Sequence, residues 1–177
     1  MKQTLKVIIA FATNLGLRLI PFRPANVEPI MATLMPMSKS AGAVTGAFFA
    51  FASMYLHDAI QGKVGTWTWV TACVYALIGI AAGEFFRKHE ASRLNFVAFS
   101  FVSTIVYDAL TGLTIGPIFY GQSLYGAFLS QIPFTITHLV GNTLFAALLS
   151  PLIYSFFVKN PALDIELTLP VRKQPAS

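Results

Sequence analysis

The feature that most constrains this chain is a series of apolar blocks, each close to twenty residues long. An α-helix rises about 1.5 Å per residue, so a block of this length spans the roughly 30 Å hydrocarbon core of a bilayer. Of the 177 residues, 55% are hydrophobic and 11% are charged, whereas soluble domains carry about 25% charged residues. A membrane barrel would instead alternate apolar and polar positions. The pattern predicts an all-α integral membrane protein.

The blocks predict a single membrane domain at residues 1–158, built from six transmembrane helices, and a cytoplasmic tail at 159–177. The second helix, preceded by Asn26 as a candidate cap, is short and is expected to be either broken and tilted or packed inside the bundle. A separate surface helix is expected before Pro133, and Pro151 predicts a kink in the last span. The predicted spans are about 5–20, 27–37, 42–60, 67–86, 94–110 and 134–157.

The net charge of +5 is interpreted as a sign of membrane orientation and not of a nucleic-acid partner. With the N-terminus in the cytoplasm, nine of the 12 lysines and arginines lie inside, and Arg18, Arg23 and Lys63 lie outside. Cytoplasmic loops of membrane proteins carry an excess of basic residues. The distribution therefore predicts a multi-pass protein with both termini in the cytoplasm.

Two aspartates are predicted at the outer ends of helices. A weak repeat relates residues 53–62 to 103–112, and in each copy an Asp, Asp58 or Asp108, lies one turn before a glycine that would end the helix. A carboxylate is unfavourable there because the helix C-terminus carries partial negative charge. Each aspartate is expected either to form an ion pair with a basic residue of the outer side or to bind a ligand, and the sequence leaves both possibilities open.

A polar stripe runs along the sixth predicted span. Its four members fall on one helical face of an apolar segment: Gln131, Thr135, His138 and Asn142. Such a stripe must face protein or water, so its members either hydrogen-bond to other helices or line a ligand cavity, and the cavity is favoured. No metal-binding spacing accompanies His138, and no cofactor or metal is predicted.

Two further features have alternative interpretations. Trp67 either anchors the chain at the membrane interface or stacks on a flat ligand, and Arg18 either reaches the interface or points into the cavity. Small residues at a spacing of four, including Ala12 and Gly16, allow helices to pack closely, within this chain or against a partner. The sequence has no phosphate-binding G-x-x-x-x-G-K-[ST] motif and no G-x-S-x-G motif, which argues against an ATPase or a serine hydrolase.

The chain resembles the substrate-binding S components of energy-coupling factor (ECF) transporters, within a subgroup of unassigned substrate. The resemblance covers about residues 4–158. It rests on the chain length, the short second span, the Pro-Phe-Arg-Pro-Ala-Asn-Val-Glu-Pro-Ile stretch and the Gly-rich helices that end near Asp58 and Asp108. The segments Gln131-Ile-Pro-Phe-Thr and His138-Leu-Val-Gly-Asn142 also look like that subgroup.

This resemblance implies a prokaryotic cell-membrane subunit that is not itself an enzyme. It would bind a vitamin or similar micronutrient under the loop at residues 21–28 and work with a T component and two ATPase subunits. In the family an Ala-x-x-x-Ala motif on the first helix contacts the T component, and here Ala12 and Gly16 take that place. The candidate binding residues are Arg18, Asn26, Glu28, Asp58, Trp67, Tyr107, Asp108, Gln131, Thr135, His138 and Asn142.

Two other functions remain open at this point. A small intramembrane enzyme could use His138 with Asp58 or Asp108 for acid–base chemistry. A structural membrane subunit would bind no small molecule, and its polar residues would serve helix packing alone.

Overall fold

The computed structural model describes residues 4–20 and 28–163, and these form an all-α fold. There are five helices and not the six predicted. Helices α4 and α5 continue as π-helical turns at Ile115–Phe119 and Ile153–Val158, and a short 3₁₀ turn follows at Pro161–Leu163. The five helices are α1 (Thr4–Arg18), α2 (Ile30–Ile60), α3 (Thr66–Lys88), α4 (Arg93–Thr114) and α5 (Leu124–Leu152).

Four stretches are long and apolar enough to cross a membrane: Ile30–Ile60, Thr66–Lys88, Arg93–Phe119 and Leu124–Val158. Helix α1 has 15 residues, which corresponds to about 22 Å at the usual rise of about 1.5 Å per residue. The helices therefore make a multi-pass membrane protein. The predicted tail beyond residue 163 lies outside the described residues.

The predicted second and third spans are joined in α2, and Gly42 is the joint. Gly42 has φ 85° and ψ 173°, which is not helical. Its φ is one that residues with a side chain rarely adopt. A Cβ atom at Gly46 would collide with the hydroxyl of Ser38. Since positions eight residues apart in one straight helix are about 12 Å apart, the chain reverses direction at Gly42.

Residues 30–41, here called the buried half-helix, fold back inside the bundle. Every side chain from Ile30 to Ser38 is buried, and Ser150 of α5 donates a hydrogen bond of 3.0 Å to the carbonyl of Ala32. The half-helix begins at Ile30, so Glu28 and Pro29 precede it instead of lying in its first turn. The predicted cap Asn26 lies outside the described residues, and Pro29 occupies the capping position without a side-chain hydrogen bond.

Helix α5 passes through Pro133 without a break, so the separate surface helix predicted before that proline is wrong. A proline inside a membrane helix removes one backbone hydrogen bond, and hydroxyl groups nearby satisfy adjacent carbonyls. Ser130 donates to the carbonyl of Ala127 at 3.0 Å, and Thr137 donates to that of Pro133 at 3.2 Å. The helix changes to a π-helical form only after Leu152, next to Pro151, where a kink was predicted.

The part of α2 after Gly42 packs closely on α3 through glycines. A Cβ at Gly79 would collide with the backbone of Gly46, and one at Gly83 would collide with Ala43. Small residues at such crossings let two helices approach to backbone contact in a membrane. Helices α4 and α5 form the second antiparallel pair, which supplies the other wall of the interior.

Both ends of the described chain lie at the same end of the bundle. The ammonium group of Lys6 donates to the carbonyls of Val158 at 2.7 Å and of Asn160 at 2.8 Å. At this end Lys39 donates to the carbonyls of Phe86 and His89, which satisfies the C-terminus of α3. We call it the basic end because it carries six basic residues near the helix termini: Lys6, Lys39, Arg87, Lys88, Arg93 and Lys159.

Candidate functional site

The helices bring six polar side chains together in the interior, and we call this set the buried polar cluster. Helices α1, α3, α4 and α5 each contribute, and one residue precedes the buried half-helix. The members are Arg18, Glu28, Tyr75, Tyr107, Asp108 and His138.

Arg18 is almost completely buried, with 3% of its surface exposed, and pairs with Glu28. Its Nη2 lies 3.1 Å from Oε2 of Glu28, and its Nη1 donates to the backbone carbonyl of Ser53. One turn earlier Asn14 donates to the hydroxyl of Ser53 at 3.2 Å. Arg18 therefore does not reach out to the membrane interface: its charge is directed into the protein, where it joins α1 to α2 and to the start of the half-helix.

Asp108 and His138 form a buried pair between α4 and α5. Nδ1 of His138 lies 2.7 Å from Oδ1 of Asp108, and the two residues are 4% and 1% exposed. The second carboxylate oxygen, Oδ2, is buried and has no hydrogen-bond partner among the residues that the structure describes. Because α4 continues to Thr114, Asp108 lies inside the helix and not at the C-terminal end where the sequence placed it. The intramembrane-enzyme alternative paired His138 with either Asp58 or Asp108. The structure forms the pair with Asp108.

Two tyrosines connect the Arg18–Glu28 ion pair to the Asp108–His138 pair. The ring centroids of Tyr75 and Tyr107 are 4.5 Å apart, and that of Tyr107 is 5.7 Å from the ring of His138. Both hydroxyl groups lie within electrostatic range of Arg18, Glu28 and Asp108. The six side chains are therefore one electrostatically connected group.

Asn142 forms a second polar layer one turn along α5 from His138. Its Nδ2 donates to the hydroxyl of Thr104 at 2.9 Å, while Ser100 donates to the Asn142 carbonyl at 3.2 Å. These bonds hold α4 and α5 together, which is the helix-packing role that the sequence left as an alternative. Its side-chain oxygen, Oδ1, is nevertheless buried, and no described residue donates a hydrogen bond to it.

The polar stripe of the sixth predicted span divides into two parts. His138 and Asn142 are buried, whereas Gln131 and Thr135 are half-buried. The latter two line a groove of about 260 Å³ between α4 and α5 whose other walls are apolar, and they are 3.5 Å apart at their nearest polar atoms. The stripe therefore does not lie in one site: its first two members line the groove, and its last two face α4.

Asp58 belongs to a separate local network at the end of α2. It accepts a hydrogen bond of 2.6 Å from Thr68, in the first turn of α3, and lies 3.1 Å from Nδ1 of His57. Within the described residues no hydrogen bond or ion pair joins Asp58 to the buried polar cluster. Trp67 lies near this network and is 40% exposed, with its ring against Gly65. Among the described residues, no hydrogen bond or ion pair joins Asp58 or Trp67 to Asp108.

Sequence reasoning missed three contributors to the interior: Tyr75, Ser53 and Thr104. Tyr75 lies in a continuous apolar block and gives no signal in a single sequence. A spacing of four, which keeps residues on one helical face, relates Ser100, Thr104 and Asp108. This spacing indicates a polar face on α4, so Thr104 could have been found from the sequence. Asn26 and Arg23 lie outside the described residues.

The chemistry available in the cluster is hydrogen bonding, ion pairing and proton transfer. In the part of the chain that the structure describes, no three His, Cys, Asp or Glu side chains are grouped as metal ligands. Comparisons with protein-family models, with curated proteins and with solved structures gave no match to this chain.

Proposed function

We propose that this chain is the membrane-embedded binding subunit of an uptake system for a vitamin or other small micronutrient. The single observation that carries the proposal is the buried polar cluster, with ionisable side chains held between apolar helices. Burying a charge in a low-dielectric interior is costly, and simple helix packing does not require it. Ionisable residues inside membrane helices generally mark ligand or ion pathways.

The buried half-helix supports the same proposal. Helices that begin within a bundle present unpaired backbone N–H groups and a partial positive charge to the interior. In membrane transporters such broken helices commonly form substrate sites. Here the half-helix begins at Ile30, two residues after Glu28, so the start of the helix lies next to the cluster.

Uptake driven by ATP requires separate ATPase subunits, because the sequence has no phosphate-binding G-x-x-x-x-G-K-[ST] motif. In line with the resemblance to ECF S components, we infer a T component and two ATPase subunits as partners. The inferred docking site is Ala12 and Gly16 on α1: both are exposed, and a Cβ at Gly16 would meet open space.

The binding function is tested by native mass spectrometry of the purified protein. We expect a small co-purifying metabolite in the natural protein and its loss in Asp108→Asn and His138→Ala variants. Glu84→Gln is the matched control, because Glu84 is exposed at the basic end and pairs only with Arg87 among the described residues. If no metabolite is found, and a vitamin panel leaves the thermal stability unchanged, the binding proposal is wrong.

The docking site is tested by enlarging Gly16. We expect Gly16→Leu to lose co-purifying ATPase subunits from native membranes while it retains the metabolite, because the added side chain blocks the surface without touching the cluster. Cys73→Leu, a similar enlargement at an exposed position of α3, is expected to retain both. Retention of the ATPase subunits by Gly16→Leu would contradict docking at this site.

A second candidate function is an intramembrane enzyme, favoured by the 2.7 Å contact between His138 and Asp108. A carboxylate that orients a histidine is a common arrangement for general acid–base catalysis. An enzyme predicts that His138→Ala abolishes chemical conversion of a bound molecule while binding persists. A structural subunit predicts no saturable ligand in either protein.

A further inference from the structure

We propose that Asp108, together with the rings of Tyr75 and Tyr107, forms a subsite for a positively charged nitrogen of the transported molecule. This inference rests on the proposed uptake function and specifies the chemical class of the substrate. The observation that carries it is the unpartnered carboxylate oxygen of Asp108, in a residue that is 1% exposed.

The hydrogen-bonding pattern around Asp108 requires a donor. An ionised carboxylate only accepts hydrogen bonds. His138 occupies Oδ1, and Oδ2 is left without a partner. A buried acceptor without a donor carries the full cost of its lost hydration. A ligand N–H group placed at Oδ2 would remove that cost.

The charge pattern favours a cationic donor over a neutral one. The charge of the Arg18 guanidinium is already compensated, because it pairs with Glu28 at 3.1 Å and donates to the carbonyl of Ser53; its Nε is a buried donor without a partner among the described residues and would suit an acceptor of the same ligand. The contact of Asp108 is with His138, which carries a positive charge only when it holds a second proton. A protonated nitrogen of the ligand would supply both the missing donor and the compensating charge.

The aromatic rings add to the same preference. Tyr75 and Tyr107 are 1% and 7% exposed, and their ring centroids are 4.5 Å apart, so they form a desolvated aromatic pair, and the ring of Tyr107 lies 5.7 Å from that of His138, the partner of Asp108. Aromatic faces attract cations, and the attraction is stronger where water is excluded. An acidic group next to aromatic rings is a combination that selects organic cations.

Asn142 indicates that the ligand carries more than one N–H group. The hydroxyl of Thr104 donates to the carbonyl of Ser100 at 2.8 Å, so it can only accept from Nδ2 of Asn142. This arrangement assigns the unpartnered buried atom of Asn142 as an oxygen, which is a second acceptor in the turn next to His138. An amine, an amidine or an N–H-bearing heterocycle would suit both acceptors.

The first experiment identifies the metabolite released from the natural protein by its exact mass and fragmentation. We expect a molecule with a nitrogen that is protonated at neutral pH. A neutral or anionic metabolite would overturn the cation subsite and leave the uptake function standing, whereas the absence of any metabolite would overturn both. This measurement needs no variant and is decisive even if substitutions at Asp108 prevent folding.

The second experiment measures the affinity of that released metabolite for variants by titration in detergent. We expect Asp108→Asn, which replaces the acceptor by a neutral amide of the same shape, to weaken binding about tenfold or more. We expect Tyr107→Leu to weaken it about threefold or more, and Tyr107→Phe, which keeps the ring, to bind as the natural protein does. Unchanged affinity in Asp108→Asn, or equal affinities of the Leu and Phe variants, would overturn the proposed subsite.

Discussion

At the scale of single residues, the space around a glycine decides what it contributes. Gly16 and Gly79 both belong to small-residue pairs at a spacing of four in the sequence. A Cβ at Gly16 would meet nothing within 4 Å, whereas one at Gly79 would collide with the backbone of Gly46. The same motif therefore leaves an open surface on α1 and makes a close helix contact on α3.

This difference predicts opposite effects of the same substitution. We expect Gly79→Ala to lower the free energy of unfolding by about 1–3 kcal/mol, because the methyl group overpacks a contact made by backbone atoms that cannot move aside. We expect Gly16→Ala to leave stability unchanged or to raise it by up to about 1 kcal/mol, since alanine is the better helix former. Thermal unfolding of the two variants in detergent checks this, and equal effects would contradict the α2–α3 packing.

At the scale of secondary-structure elements, Gly42 converts one long apolar stretch into two antiparallel segments. The buried half-helix then fills the interior, and the second segment packs against α3. This chain reversal also sets where the half-helix starts, and so where Glu28 meets Arg18.

The conformation of Gly42 leads to a prediction about this element. We expect Gly42→Ala to destabilise the protein by about 1–3 kcal/mol, because an alanine Cβ is strained at a φ of 85° even though no neighbouring atom lies within 4 Å. Backbone strain and not crowding would cause the loss. Gly16→Ala serves as the control in a regular helix, and a Gly42→Ala variant as stable as that control would show that the reversal does not depend on glycine.

At the scale of the whole molecule, the helices place the first and the last described residues at the basic end of the bundle. Lys6 binds the carbonyls of Val158 and Asn160 there, and Lys39 binds those of Phe86 and His89. That both termini of the chain lie in the cytoplasm stays a prediction from the positive-inside rule.

Labelling with a membrane-impermeant maleimide in whole cells tests the orientation. In a Cys73→Ser background, we expect Lys63→Cys to react in intact cells and Glu90→Cys to react only after permeabilisation, because these residues flank opposite ends of α3. Both are exposed, so neither substitution disturbs the core. Labelling of Glu90→Cys alone in intact cells would reverse the orientation, and labelling of both would contradict the span between them.

By itself, the sequence determined that this is an all-α membrane protein and that His138 and Asn142 share one helical face, but it predicted six spans where the described residues form four stretches long enough to cross a membrane. Block length and helical period are local properties, and local spacing shows which residues share a face. Only the tertiary structure decided that the chain reverses at Gly42, that α5 continues through Pro133 and that His138 pairs with Asp108 while Asp58 stays with Thr68. These outcomes depend on contacts between residues far apart in the chain, and a helical period does not say which face of another helix will be its neighbour.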